Sequence, residues 1–425
     1  MAVVVDGGGA NLRFGFASED QPSGVVPNQV VRPKRDRRTY VADEIDQCRD
    51  ISGLYLRRPF EKGYLVDFEL QKEIWDRAFG KHYLKIQPKD HDLVLTQPLF
   101  TPLALQEATL ELVFEEYGFK SLFCCSPATA VMHYYQKQPE SMHMLGKCPP
   151  LPADAPSAAV VVDSGYSFTH VVPFFEGERL HNAVKRINVG GKVLTNHLKE
   201  IISFRTWNMM EETFLVNIVK EKMCYVSLDF IEDMHETKRP NNRIVQKYLL
   251  PDYTTTDRGH VLSEDEANQR QAARKTESAA ATAEKDQMVL DEQVLVMNNE
   301  RIAVPEILFH PSDIGVPQAG VAETIAQSIA CAPRELQSWL YANIMLTGGN
   351  TLFPNYPQRL YTELRKLAPT DYPVRVFYPK DPISAAWRGA ALMAQDPLVG
   401  EQHRITKEQY KEMGSPASAR HFQRW

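Results

Sequence analysis

Hydrophobic and polar positions in this chain spell one phrase twice. Val3-Val4-Val5 runs without a polar break into Asp6-Gly7-Gly8, and Val160-Val161-Val162 runs into Asp163-Ser164-Gly165 in the second half. Each run is β-branched, stops at an Asp and then small residues, and is followed by another apolar run, Leu12–Phe16 in one case and Phe168–Phe175 in the other. A pair of apolar runs around a tight small-residue turn predicts a β-hairpin, so two buried hairpins are expected. Elsewhere the period lengthens. Leu70, Ile74, Trp75 and Phe79 predict a core-facing helix over Glu69–Phe79, and Leu105, Leu110, Leu112, Val113 and Tyr117 predict another over Leu105–Tyr117. Asp92–Thr96 reads as a strand ended by Gln97-Pro98, and Met297–Phe309 as strand, turn and core around Pro305.

Three stretches break the pattern. Gln136–Ser157 holds Pro139, Pro149, Pro150, Pro152 and Pro156, which predicts a connecting loop between the two repeated halves. Thr254–Gln287 is a larger break. Its core, Ser263–Gln287, has no Gly, aromatic or large aliphatic residue and is dense in Ala, Glu, Gln, Arg and Lys. Such a segment cannot bury enough surface to order itself, so disorder is expected, with an exposed helix on a partner as the alternative. The basic run Arg32-Pro33-Lys34-Arg35-Asp36-Arg37-Arg38 reads as a solvated loop.

A chain of 425 residues exceeds what one hydrophobic core usually covers, so two or more lobes are expected. A net charge of −6 argues against general nucleic-acid binding, which calls for a basic surface. The six cysteines, at 48, 124, 125, 148, 224 and 331, form no CxxC pair and fit a reduced, intracellular compartment. No secretory signal is visible, and no apolar run reaches the length that spans a bilayer. HExxH, GxSxG and Walker-type motifs are absent from the sequence. Cys124-Cys125, inside an apolar run, reads as inert packing.

The chemistry therefore rests on the repeated turn. Two such hairpins facing each other hold a polyphosphate from both sides, with backbone N–H groups as donors and two carboxylates aimed at its metal ion. Gly7, Gly8 and Gly9 let the backbone come close.

These motifs, with Gly348-Gly349-Asn350-Thr351-Leu352-Phe353-Pro354, Lys220–Tyr225, Trp387-Arg388-Gly389 and the tail Lys407–Phe422, resemble the actin family from end to end, apart from the insertions Gln136–Ser157 and Thr254–Gln287. The resemblance implies an α/β, duplicated, two-lobed fold with a nucleotide cleft between the lobes. The first lobe would span 1–152, with a small subdomain at about 28–59, and be completed by 387–425; the second would span 153–386, with a small subdomain at about 190–301 that carries the 254–287 insertion. It also implies ATP or ADP with Mg²⁺ as cofactors. The nucleotide would be held by Asp6, Gly7, Gly8, Gly9 and Arg13, by Asp163, Gly165, Tyr166, Ser167 and Thr169, and by Lys220, Glu221, Gly348, Gly349 and Leu352. Asp6 and Asp163 would face the metal through water.

Ser164–His170, Arg186–Lys192, Val304–Phe309 and Phe60–Val66 resemble a nuclear branch of that family. This implies a subunit of a chromatin remodeller that exchanges histone H2A for its Z-type variant, in contact with the remodeller's ATPase and other subunits, and with histones or the nucleosome as further candidates. Departures from the family pattern bear on activity. Pro127 stands where actin has a Gln that orients the attacking water, Tyr166-Ser167 replaces an Asp-Gly pair, and Ile383 takes a Lys position near the adenine. Proline has no side-chain donor or acceptor, so binding with very slow or absent hydrolysis is expected, and no catalytic residue is assigned. Pro33–Tyr40 is shorter and more charged than actin's filament-inserting loop, so no homopolymer is expected. A slow ATPase of the superfamily and a cytoskeletal, filament-associated protein are the alternatives.

Overall fold

The computed structural model describes all residues except 35–36, 147–155, 241, 254–255, 267–268, 270–292 and 423–425. Two sheets with related topology organise it. In the first, the strands run Ile405–Thr406, Ser121–Cys125, Asp92–Thr96, Ala2–Gly7, Asn11–Phe16, Gly24–Pro27. In the second they run Met142–Leu145, Val376–Pro379, Ile344–Thr347, Ala158–Ser164, Thr169–Phe175, Glu178–Arg179, with Lys185–Ile187 also pairing to Thr169–Phe175. Each sheet thus has one valine-rich strand with a hairpin partner on one side and a parallel neighbour on the other. Strands covered on both faces need continuous apolar runs, and Val3–Val5 and Val160–Val162 are fully buried. In a parallel arrangement the carboxyl ends of the strands form the natural binding edge. Both valine-rich strands bring an Asp to that end.

One large apolar core fills the second lobe and takes in Val31, Tyr40, Ile45, Cys48, Ile51 and Leu54 from the first lobe's small subdomain, while a second core fills the rest of the first lobe. The lobes are joined by two helices, Pro127–Lys137 and Ala385–Gln395, which pack against each other between the sheets. A Cβ on Gly389 would lie 1.8 Å from the Ala130 carbonyl oxygen, so only glycine permits this crossing. The indole N–H of Trp387 donates to the Val4 carbonyl at 3.1 Å, and Ile405–Thr406 extends the first sheet, so the C-terminal segment returns to the first lobe. Val30–Arg32, Tyr40–Val41 and Tyr55–Arg57 make a small sheet on the first lobe; Gln246–Leu249, His260–Val261 and Val294–Met297 make one on the second.

Most expected elements are present. The helix predicted from Glu69 covers Phe68–Phe79 and is capped by the Asp67 carboxylate, which accepts from the Leu70 amide at 3.0 Å. The one predicted over Leu105–Tyr117 begins at Leu103 and widens to a π-helical stretch over Leu112–Tyr117 before Gly118 ends it at φ +73°. Three readings are corrected. The Pro-rich connection contains the strand Met142–Leu145, which pairs with Val376–Pro379, so the chain enters the second sheet before residue 152. Residues 300–306 form a helix, Glu300–Glu306, with Pro305 buried inside it, not a turn. The 254–287 insertion, expected to be disordered, is ordered in its described first part, where His260–Val261 pairs with Gln246–Leu249; most of the rest lies outside the described residues.

Candidate functional site

Between the lobes lies a cavity of about 560 Å³, lined by both hairpin turns and by segments of both small subdomains. That volume is in the range that takes a drug-sized ligand. Asp6 anchors the first wall. Its register places Thr96 on one neighbouring strand and Arg13 on the other. The Thr96 hydroxyl donates to Asp6 Oδ1 at 2.6 Å and Arg13 Nη1 donates to Oδ2 at 2.8 Å, which fixes the orientation of the carboxylate. Arg13 Nε is buried with no partner among the described residues. The turn itself is closed by the Gly8 amide donating to the Asn11 carbonyl at 3.0 Å, and Asn28 Nδ2 donates to the Gly8 carbonyl at 2.9 Å.

Asp163 stands opposite, half-buried at the end of its strand. Burial, together with the charge of Asp6, pushes its carboxyl up to about 6, with Arg13 opposing. The turn after it is held by the Gly165 amide on the Phe168 carbonyl at 2.9 Å and by Asn350 Nδ2, which donates to the Gly165 carbonyl at 2.8 Å. Gly348 approaches from the parallel strand at φ +91°, and a Cβ there would meet the Ser164 carbonyl oxygen at 2.3 Å. His170, opposite Asp163 in the hairpin, lines the cavity with a buried Nε2 that has no partner among the described residues; burial and the nearby Arg186 lower its imidazole to about 4.

Every predicted site residue except Thr169 lines this cavity. Thr169 is buried behind it: its hydroxyl donates to the Val189 carbonyl at 3.0 Å and sits 2.9 Å from Ser164 Oγ, so it braces the second turn. Lys220 needs a correction of role. Its ammonium donates to the Gly191 carbonyl, Thr195 Oγ1 and Asn217 Oδ1 at 3.1, 2.9 and 3.0 Å, and burial lowers it to about 8. It ties two helices together at the cavity wall rather than standing free. Glu221 accepts from Asn217 Nδ2 at 2.8 Å. Gly348, Gly349 and Leu352, with Phe214, Ile218 and Ile383, make a largely apolar far wall.

Several lining residues escaped the sequence reading. Asn350 lies inside the Gly348–Pro354 motif, where only the glycines carry a clear sequence signal. Arg58, Gln29, Phe214 and Asn217 arrive from elements distant in sequence and carry no local signal. Pro127 does line the cavity and, as the first helical residue after the Ser126 cap, needs no amide donor. The thiols of Cys124 and Cys125 are pushed well up by burial, in keeping with inert packing. Among the described residues no group of three or more His, Cys, Asp or Glu is placed to hold a metal by itself, and no helix is long and apolar enough to cross a membrane.

Two sheets of matching topology, joined by packed helices and meeting at paired Asp-bearing turns, define a duplicated two-lobed α/β fold. A family model described as Actin matches residues 1–423. The chain is similar to actin-related protein 6 of Oryza sativa subsp. indica, at 41% identity with 99% of this chain and 98% of the relative covered. It is likewise similar to actin-related protein 6 of Arabidopsis thaliana, at 39% identity with 99% of each covered, and of Drosophila melanogaster, at 36% identity with 97% of each covered. The chain belongs to the actin family.

Proposed function

We propose that this chain is a nucleotide-bound structural subunit of a nuclear, ATP-dependent chromatin-remodelling complex that exchanges histone H2A for its Z-type variant. What carries the nucleotide part is the convergence of two glycine-containing turns and their carboxylates on one cavity. ATP or ADP would place its phosphates between Gly7–Gly9 and Gly165–Ser167 and its adenosine against the Gly348, Gly349 and Leu352 wall. Asp6 and Asp163 would face Mg²⁺ through water. Two carboxylates suit this ion, which keeps most of its water and binds phosphate oxygens. Mg²⁺ supplies charge neutralisation of the polyphosphate there. Arg13 holds Asp6 in place, and the partnerless Arg13 Nε adds positive potential at the first turn.

Hydrolysis is very slow or absent in this reading. Pro127 offers no polar side-chain atom to orient water, and the His170 imidazole in the same cavity is neutral, its Nε2 without a partner among the described residues. Losing a water-positioning group costs orders of magnitude in phosphoryl transfer. The nucleotide then acts as a tie between lobes, since a ligand that binds only the folded state stabilises it by mass action. The remodeller part is supported by the motif resemblance and by the name the similar proteins share, actin-related protein 6. The same reading makes the protein a subunit that does not polymerise.

Affinity purification from nuclear extract tests both parts, with mass spectrometry of partners and quantification of bound adenine nucleotide in the same sample. Stoichiometric recovery with a remodeller ATPase and a retained nucleotide is expected. A free monomer that turns ATP over, or recovery with cytoplasmic filaments, would replace the proposal with an enzymatic or cytoskeletal role.

A further inference from the structure

Arg58 is a charged residue of the cavity wall that lies outside both hairpin turns. It follows the strand Tyr55–Arg57 of the first lobe's small sheet, lines the cavity and reaches Tyr166 of the second lobe. Its Nε donates to Gln29 Oε1 at 3.2 Å, its Nη1 donates to the Tyr166 hydroxyl, and its guanidinium carbon lies 4.5 Å from the centre of the Tyr166 ring. Among the described residues no carboxylate pairs with it. Burial lowers it to about 10, so it stays cationic at neutral pH, and its charge in turn lowers neighbouring Lys220.

A half-buried guanidinium without a counter-ion is costly unless an anion arrives to match it. The surroundings say where that anion lies. The Tyr166 ring on which Arg58 stacks is 3.5 Å from where a Cβ would stand on Gly9, in the first turn, and 3.5 Å from the same point on Gly191. Arg58 therefore sits beside the phosphate-clamping turns with most of its donors unused. Other bonds also cross between the small subdomains: the Gly53 amide donates to Glu212 Oε1 at 2.9 Å, and Arg258 donates to the carbonyls of Cys48 and Ile45, both at 3.0 Å. These close the lobes at a distance from the turns.

We propose that Arg58 binds a phosphate of the nucleotide from the small subdomain and, through its stack on Tyr166, clasps the cleft shut, so that nucleotide leaves when this pair opens. The proposal rests on the nucleotide reading above. It is tested by chasing bound etheno-ATP and etheno-AMP with unlabelled ATP in wild type, Arg58→Ala, Arg58→Lys, Arg58→Gln and Arg258→Ala. Losing hydrogen bonds to a charged group predicts release of etheno-ATP faster by about tenfold or more in Arg58→Ala. Etheno-AMP should change less, and Arg58→Lys should recover part of the difference. Arg258→Ala, which touches no phosphate position, should speed both ligands alike. Equal acceleration of both ligands by Arg58→Ala would leave a clasp without phosphate binding, and an unchanged rate would remove both; either overturns the proposal. If Arg58→Ala does not fold, the Lys and Gln variants decide the same comparison. Wild type that binds no etheno-ATP would overturn the nucleotide reading itself, a different result from wild type that binds while Arg58→Ala is silent.

Discussion

Replacing Asp163 with Asn and Asp6 with Asn should have opposite effects on the nucleotide-free protein and the same effect on its response to nucleotide. Asp163 has its carboxyl pushed up to about 6 by burial and by the charge of Asp6, so the fold favours its neutral form. A carboxyl raised this way weakens the folded state at neutral pH. The cost is complete above about 6 and disappears as pH falls toward the unfolded value near 4. A shift of about two units is worth about 3 kcal/mol at 1.4 kcal/mol per unit, and about 2 kcal/mol once the open cleft is allowed for. Asp163→Asn removes that cost and should stabilise the nucleotide-free protein by about 2 kcal/mol at pH 7.5, with the gain shrinking toward pH 4.

Asp6 is the reverse case. It is paired with Arg13 at 2.8 Å and accepts from Thr96 at 2.6 Å, and the Asp6–Arg13 pair is nearly out of solvent. Asp6→Asn leaves Arg13 without a counter-ion and should destabilise the nucleotide-free protein by about 2–3 kcal/mol, less whatever repulsion of Asp163 is relieved. Both variants should lose the rise in melting temperature that Mg²⁺ and ATP give wild type. Thermal unfolding in chelator after nucleotide removal, from pH 5 to 8, with and without Mg-ATP, reads all of this. Asp163→Asn melting below wild type without nucleotide at pH 7.5 would refute the electrostatic reasoning. A variant of either kind that keeps the full response to Mg-ATP would refute the placement of the metal.

Gly348→Ala should abolish nucleotide binding, measured by etheno-ATP fluorescence, because its Cβ would overlap the Ser164 carbonyl at 2.3 Å in a backbone conformation that L residues avoid; unchanged binding would mean the turn is not needed. Arg359→Met should cost about 3–5 kcal/mol in denaturant unfolding, since Arg359 donates to both oxygens of buried Glu306 at 3.1 and 2.8 Å, and a loss under about 1 kcal/mol would contradict the pairing. Pro127→Gln should raise single-turnover phosphate release by about tenfold or more, because Ser126 still caps the helix while a water-orienting amide is restored; a nucleotide-bound variant with an unchanged rate would count against the reason given for slow hydrolysis.

What the sequence disclosed and what it withheld divide along the range of the interactions. The two hairpins were readable because strand, turn and return strand lie within a few residues of each other, so the valine runs and small turn residues act on one another directly. The glycine turn at Gly348 was readable for the same reason. Thr169 was misplaced because alternation along a strand is set by the sheet: a residue next to a phosphate turn faces the interior when its register partner is Ser164. Lys220 carries the right charge at the right wall, yet its ammonium is consumed by acceptors from another helix. Met142–Leu145 is short, half-exposed at each end and follows a helix, and only the distant Val376–Pro379 strand makes it an element. Arg58 is the limiting case, since nothing within ten residues of it reports that Tyr166 will lie beneath it.

Pro127 shows how the two kinds of information combine. From sequence it registers as a loss, a polar side chain absent where the family orients water. In the fold it is a gain, because Ser126 accepts from the Thr129 amide at 3.0 Å and proline is preorganised at the first helical position, where its missing N–H goes unneeded. The helix it starts is one of the two that join the lobes, packed so closely against its partner that Gly389 admits no side chain. Under the proposal that nucleotide ties the lobes together, a residue that stiffens the start of the connecting helix fits that role. The cross-lobe bonds from Arg58 and Arg258 act in the same direction.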